Sequence, residues 1–556
     1  MKRILALCIL LHIIIYILAQ PKYEVRAVWL TTIGGIDWPH SYAHDGMGIQ
    51  EQQQELRGML DKLKQAGINT VLLQTRVRAT TIYPSSIEPW DGCLSGKPGV
   101  TPGYDALQFA IDECHRRGME IHAWVVSIPI GKWNTYGCKQ LYKRYPFAVK
   151  KIGDEGYLNP ESDFTADYLG NICEEITKNY DIDGIHLDYI RYPETWRGSK
   201  NKENITRIVR RVHNRVKFYK PWVKMSCSPI GKHDDLSRYQ SNGWNARSRV
   251  AQDAQSWLRE GLMDQLYPMM YFRGNNFYPF AIDWKEQSAG RTIVSGLGTY
   301  ILHPREGNWP LAEIQHQLNF TRSIGLGGHC QFRAKFLLDN VKGVYDYLMW
   351  FDRHPALIPP MTWEHQLPPT PPVVLKVNKT RNGDYLSWSG ATDRSDGPYL
   401  LYNVYASPSF PVDTQNPANL VATRQPWQHI FLKSRNGSSR LYYAVCALDR
   451  YGNESEPKQE RTGGSSISVY NDQSSAAGSK TILFPNDGKT LKIDVSGISR
   501  NDYILIQTLQ GSIVMTTACK PSIDISRLQD GIYQLKTLNK KGQTHRLGFF
   551  TVKSSR

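Results

Sequence analysis

Between Glu24 and about His354 the sequence repeats one pattern eight times: a short apolar, β-branched run, then an amphipathic stretch with helical spacing. The runs are EVRAVWLTT, INTVLLQTRV, MEIHAWVV, DGIHLDYI, VKMSCSPI, MDQLYPMMY, RTIVSGLGTY and GLGGHCQFRA. In the intervening IQEQQQELRGMLDKLKQAG, Leu56, Met59, Leu60 and Leu63 fall on one helical face and Gly67 supplies a stop. Eightfold alternation of strand and helix predicts an α/β fold, the TIM (β/α)8 barrel, because parallel strands need helical crossovers and bury both faces.

That barrel occupies 20–360, and 556 residues are too many for one such core. A proline-rich stretch, IPPMTWEHQLPPTPPVV, leads into short alternating runs that predict a small all-β sandwich over 361–465. A linker at 466–480 precedes a second small all-β, sandwich-like domain at 481–556. The first 19 residues, MKRILALCILLHIIIYILA, have a basic start, an apolar run too short for a membrane span and a small residue at the end. They read as a signal peptide, so export to the periplasm or cell surface is expected, with no stable membrane span after cleavage.

Eight of the nine cysteines lie beyond that segment without a CxxC pair, which argues against a zinc site or a disulfide scaffold. Cys93 and Cys138 are the one pair in loop-like sequence that invites a bridge. The net charge of +16 fits an acidic glycan or an anionic surface. Lysines and arginines are dispersed along the chain and phosphate-loop or zinc-finger patterns are missing, so a nucleic-acid partner is not expected. Clustered metal ligands are missing too, and neither metal nor cofactor is assigned.

A parallel barrel carries its chemistry at the C-terminal strand ends. Side chains alternate along DGIHLDYI, so Ile185 and Leu187 share one face while His186 and Asp188 share the other. Two unpaired polar groups are intolerable against the helical layer, which puts His186 and Asp188 in the lumen and Asp188 at the mouth. Beside Arg191, an ionised Asp188 suits a nucleophile or a stabiliser of an oxocarbenium-like centre, the chemistry of glycoside hydrolysis. That reaction needs a second carboxyl: Glu306 ranks first, Glu88 second, and Asp37 is a further acid at a strand end, whereas Asp264 sits at a strand start and reads as structural. Arg76 and Arg78 follow the second strand, and His122 and Trp124 alternate onto one face of the third. The 15 Trp and 31 Tyr residues make Trp38, Trp90, Tyr192, Tyr267 and Tyr271 candidate stacking platforms for sugar rings.

These stretches, with YLNPES, CSPIG and DWP between them, resemble the glycosyl hydrolase family-10-like bacterial proteins from Glu24 to about Asn340. The resemblance implies an exported glycosidase with Asp188 at the family's fourth-strand aspartate, and a characterised branch acts on peptidoglycan strands stripped of stem peptides. Many relatives place a second Asp directly after that one, where this chain has Tyr189. The same stretch is distantly similar to the DGxDxDxE strand of family-18 chitinases, but their catalytic Glu falls at Ile190. The 361–465 segment resembles fibronectin type III modules, through Trp388, Tyr443 and ALDRYGNESEP, and the last segment resembles type IX secretion sorting domains, which implies secretion machinery as a partner. The expectation is therefore a glycoside hydrolase cleaving an amino-sugar glycan. A glycan-binding barrel without turnover and a glycosidase for a dietary or host polysaccharide remain open.

Overall fold

The computed structural model describes residues 20–380, 383–433 and 441–460, and within the C-terminal unit 482–483, 489–493, 503–508, 513–526, 528–529, 531–538 and 544–552. The signal-peptide and 466–480 linker expectations lie outside these residues. Among the described residues no helix is long and apolar enough to cross a membrane.

Eight parallel strands close into a barrel: β1 (Val25–Leu30), β2 (Thr70–Arg76), β3 (Glu120–Val126), β4 (Gly184–Asp188), β5 (Lys224–Cys227), β6 (Gln265–Leu266), β7 (Thr292–Leu297) and β8 (Gly328–Gln331). The helices outside include α1 (Gly46–Gln65), α2 (Ala106–Arg116), α3 (Asp163–Asn179) and α4 (Lys202–Tyr219). Local sequence starts and stops them. Asp45 caps α1 by accepting from the Met47 and Gly48 amides at 3.0 and 2.9 Å, and Leu56, Leu60 and Leu63 are its buried stripe. Gly67 ends that unit at φ +81°, where a Cβ would stand 2.5 Å from Asp352 Cβ. The barrel seam is equally tight, since a Cβ at Gly328 would stand 1.9 Å from the Val25 carbonyl.

Alternation along the strands sorts the barrel into two cores. Val25, Ala27, Trp29, Leu72, Trp124, Tyr267, Val294 and Cys330 fill the lumen, while Val28, Leu30, Val71, Leu73, Ile185, Leu187 and Met225 pack against the helices. Between β3 and α3 the chain adds a three-stranded antiparallel sheet, Pro129–Lys132, Val149–Ile152 and Glu155–Leu158, with a helix at Tyr136–Arg144. Cys93 and Cys138 are buried free thiols, so the bridge suggested by their loop-like surroundings is not made. Cys138 instead lies under the added sheet, beside Gly156.

Past the barrel, a three-stranded sheet (Val374–Thr380, Gly383–Ser389, His429–Lys433) and a four-stranded sheet (Leu401–Ser407, Leu420–Gln425, Tyr442–Leu448, Lys458–Gln459) are antiparallel and enclose Leu386, Trp388, Val404, Tyr443 and Val445. This module packs on the N-terminal end of the barrel. Arg424 donates to Glu120 at 2.9 Å and to Asp183 at 2.5 Å, and Arg450 donates to Asp181 at 2.8 Å and Asp183 at 3.2 Å. The residues from Gly464 onward form a separate unit, with a five-stranded sheet and a core of Leu491, Ile504, Ile506, Ile523, Leu535 and Phe550.

Candidate active site

Asp188 ends β4 with its side chain in the lumen, next to the mouth. Ser228 donates to Oδ1 at 2.6 Å, the Tyr189 amide to Oδ1 at 2.8 Å and Trp124 Nε1 to Oδ2 at 3.1 Å. Burial pushes the carboxyl above the ordinary aspartate range, and the Ser228 bond, the Arg191 charge and the remaining donors only moderate that rise. Arg191 therefore acts in the direction expected of it but is outweighed, so the site favours the protonated acid more than an exposed aspartate would. Strand geometry stops at Tyr189, whose φ of 51° is left-handed. For a tyrosine this backbone costs roughly 1 kcal/mol or more, and such residues persist where surrounding structure holds them. The turn leaves the Tyr189 ring exposed and returns Ile190 to the outer core.

Around Asp188 the mouth has a cationic side and an aromatic side. Arg191 lies 4.3 Å from the Tyr189 ring centroid; its Nη2 donates to Glu194 at 2.9 Å, while its buried Nη1 has no partner among the described residues. Arg78 is exposed and near enough to Tyr189 to lower its phenol pKa, although burial and the Asp188 charge raise it overall. Tyr271, Tyr300 and Phe332, from the ends of β6, β7 and β8, form a wall with centroids 5.5–5.7 Å apart. The Tyr271 hydroxyl is buried without a hydrogen-bond partner among the described residues, and Asp188 is among the charges that, after burial, raise its pKa. Glu306 is exposed on the loop after β7, close enough to Tyr300 to raise that phenol's pKa after burial has done so.

Several predicted site residues lie elsewhere. A bulge in β2 pairs Gln74 with Trp124 but Arg76 with Val125, which turns Arg76 out of the lumen. There its fork donates to both oxygens of Glu88 at 2.7 and 2.8 Å, and Tyr168 of α3 donates to Glu88 at 2.9 Å. Glu88 is thus a buried structural acceptor and not a proton donor at the mouth, and Arg76 is not a substrate contact. Asp37 is also filled: it accepts from the Thr31 amide and hydroxyl at 2.9 and 2.7 Å, from the Lys335 amide at 3.2 Å and from Arg333. Those bonds tie the loop after β1 to the loop after β8. Trp38 is buried and donates to the Gln52 carbonyl at 2.9 Å; Tyr192 is buried in the outer core and its hydroxyl accepts from Asn204 at 2.8 Å. Neither is a stacking platform.

Three others lie in the lumen below Asp188. His186 accepts from Trp29 Nε1 at 3.2 Å, so its other nitrogen carries the proton and donates to Ser226 at 3.0 Å. Burial and the nearby His122 hold its pKa far down, and it supports Asp188 as a neutral packing group. Tyr267 is buried and donates down to Gln265 at 2.9 Å, and His122 meets Glu120 at 3.2 Å near the barrel floor. None of the three reaches the mouth. Conversely Tyr189, Glu194, Tyr300 and Phe332 are mouth residues that the search for acids and bases at strand ends passed over. Their signal was available, because TY closes the seventh apolar run, Phe332 stands two residues before the end of the eighth and Glu194 directly follows DYIRYP.

A closed (β/α)8 barrel with a buried carboxyl at the end of its fourth strand and an aromatic wall at the mouth suits glycoside hydrolysis, and the sequence comparisons make the chain a glycoside hydrolase. Residues 24–204 and 194–297 match the family model Glycosyl hydrolase-like 10, so the barrel is similar to that family. The chain is 27% identical over 489 residues to Glycosyl hydrolase YngK of Bacillus subtilis, covering 80% of this chain and 94% of that protein. It is 31% identical over 293 residues to Glycosyl hydrolase DigH of Escherichia coli K12, covering 46% of this chain and 66% of that protein. Among solved structures, the glycoside hydrolase domain of PgaB (BpsB) from Bordetella bronchiseptica is similar at 12% identity and a TM-score of 0.41, over 59% of this chain and 98% of that one.

Proposed function

We propose that the protein is an exported glycosidase that cleaves an amino-sugar glycan, with peptidoglycan strands lacking stem peptides as its substrate. The observation that carries this reading is Asp188: a buried carboxyl at the mouth that burial shifts toward its protonated form. In that state it donates its proton to the glycosidic oxygen as the C–O bond breaks. Glu306, on the loop after β7 and therefore across the barrel from β4, takes the proton of the attacking water. The Tyr271, Tyr300 and Phe332 wall offers ring faces to pyranoses, and the free Nη1 of Arg191 with the exposed Arg78 suits the lactyl carboxylates that stem-peptide removal uncovers. The module after the barrel is taken as fibronectin type III-like and the C-terminal unit as a sorting domain that engages secretion machinery.

The test is reducing-end release from denuded strands by the full chain, alongside Asp188→Asn and Glu306→Gln. Loss of turnover in both variants with unchanged thermal unfolding supports the assignment. Turnover surviving Asp188→Asn overturns it, and turnover surviving Glu306→Gln but lost in Glu194→Gln transfers the second role to Glu194.

A further inference from the structure

The sheet and helix inserted between β3 and α3 leave the barrel at its mouth. Ser127, where the insert begins, donates its amide to the Asp188 carbonyl at 2.8 Å. Gly131 lies against the Arg78 side chain, and Tyr157 of the last insert strand sits beside Thr195 and Glu194 of the loop after β4. The outer surface of the insert therefore continues the wall of the site. From Lys132 to Lys151 it carries Lys132, Lys139, Lys143, Arg144, Lys150 and Lys151, all exposed, with no acid between them; the two acids of the insert, Asp154 and Glu155, follow at its last turn, Glu155 opposite Lys132 in register. The count of +16 over the whole chain conceals this concentration.

An ordinary solvated face neutralises itself, and this protein has one for comparison. On α3 and α4, Arg207 pairs with Asp163, Arg211 and Arg215 with Asp167, and Lys178 with Glu174. None of the six insert cations has a carboxylate within salt-bridge distance among the described residues. Aromatic rings lie among them: Trp133 and Tyr142 are 4.8 Å apart, Lys151 stands 5.3 Å from the Trp133 centroid, and Tyr136, Tyr142 and Phe147 are 40, 44 and 63% exposed. Cations without a carboxylate partner, interleaved with exposed rings, are a poor solvated surface and a good one for a chain that is both ringed and anionic.

We infer that the insert is a platform that holds an extended, carboxylate-bearing glycan chain outside the mouth and guides it to Asp188. This rests on the glycosidase reading of the site and adds that the enzyme grips several sugars beyond the bond it cleaves. Pyranose faces lie on Tyr136, Tyr142 and Phe147, and carboxylates along the chain meet Lys139, Lys143 and Lys151. The preference this creates is for long over short strands, and it weakens with salt because the cations are exposed.

The experiment uses the full chain carrying Asp188→Asn, so that bound glycan is not consumed, and measures affinity for long denuded peptidoglycan strands and for a tetrasaccharide from the same polymer. Adding Lys139→Glu, Lys143→Glu and Lys151→Glu is expected to weaken long-strand binding roughly tenfold or more at low salt and leave the tetrasaccharide unchanged. Tyr142→Ala, which removes an exposed ring and no charge, is expected to weaken long strands at high salt as well. Equal affinities in parent and charge-reversed protein overturn the platform, as does a single-stranded oligonucleotide of similar length displacing the glycan from the insert. Long-strand binding that depends on the insert, with no reducing ends released by the wild-type chain, leaves the platform standing and removes hydrolysis of this glycan.

Discussion

Asp183 and Asp188 lie at the two ends of the same strand, and both are buried, yet the structure treats them in opposite ways. Asp183, at the foot, receives Arg424, Arg450 and His115, the last at 2.8 Å, and these outweigh burial to hold its carboxyl well below the usual range. Its neighbour Glu120 is held down to about 2, because Lys224, Arg424 and the His122 bond overcome a burial that would otherwise raise it. Asp188, at the mouth, is given a serine, an indole and an amide, and burial prevails. Burial desolvates all three acids; what differs is whether a full positive charge stands against them. A carboxylate saturated with guanidinium is a fastening, whereas one held only by neutral donors is left with its pKa raised by burial.

The foot fastening also joins two parts of the chain. Arg424 and Arg450 come from the module after the barrel, 304 residues beyond Glu120 in the first case, and Lys22 meets Glu454 at 2.7 Å on the same side. Barrel and module form one compact unit through these contacts.

Substitutions test this contrast, and the largest effect belongs to the mouth. Asp188→Asn is expected to lower turnover by roughly 10²- to 10⁴-fold, the usual contribution of a proton-transfer group, and to leave the unfolding midpoint at pH 7 equal to or above that of the wild type. A destabilised Asp188→Asn would mean that Asp188 too is a fastening. At the foot, Arg424→Gln removes one of the charges facing Glu120 and Asp183, which keep Lys224 and Arg450, and is expected to cost on the order of 1–3 kcal/mol in denaturant unfolding. Combining it with Asp183→Asn recovers part of that loss, and barrel and module still unfold in one transition. Two separated transitions, with the barrel's unmoved, would dissolve the joint unit.

The pH dependence sharpens the contrast further. Glu120 and Asp183 have lowered folded-state values, so their stabilisation is complete above the unfolded carboxylate range near pH 4 and is lost as pH falls toward about 2. Asp188 has a raised value, so its contribution is complete below the unfolded value of about 3.9 and is lost as pH rises through the folded one. The difference in stability between Asp183→Asn and wild type should therefore close as pH falls below that range, and that between Asp188→Asn and wild type should open as pH rises above it. The smallest effect is expected from Ser228→Ala, which removes the strongest neutral donor to Asp188. The carboxyl rises further, and the alkaline limb of kcat/KM moves upward with a loss of only about tenfold or less in rate. A downward shift would assign the limb to another group.

Much of this arrangement was legible in the residues. Eightfold alternation specified a closed parallel barrel, because runs of that length cannot bury both faces otherwise, and the period of two in DGIHLDYI put His186 and Asp188 in the lumen. Depth was not legible. His122, His186 and Tyr267 have the correct parity for the lumen but lie below Asp188, and parity carries no information on how far down a layer sits. Arg76 was lost to a one-residue bulge, since shifting the count by one exchanges the lumen for the helical layer.

Local sequence alone thus determined which residues form strands and helices, where helices start, and which side chains share a face, because propensity, capping and alternation act over a few neighbouring positions. Only the tertiary structure decided which buried acids face a full positive charge and which have their pKa raised by burial. That depends on charges delivered from hundreds of residues away, as Arg424 is to Glu120, and on burial, which no short stretch of sequence contains.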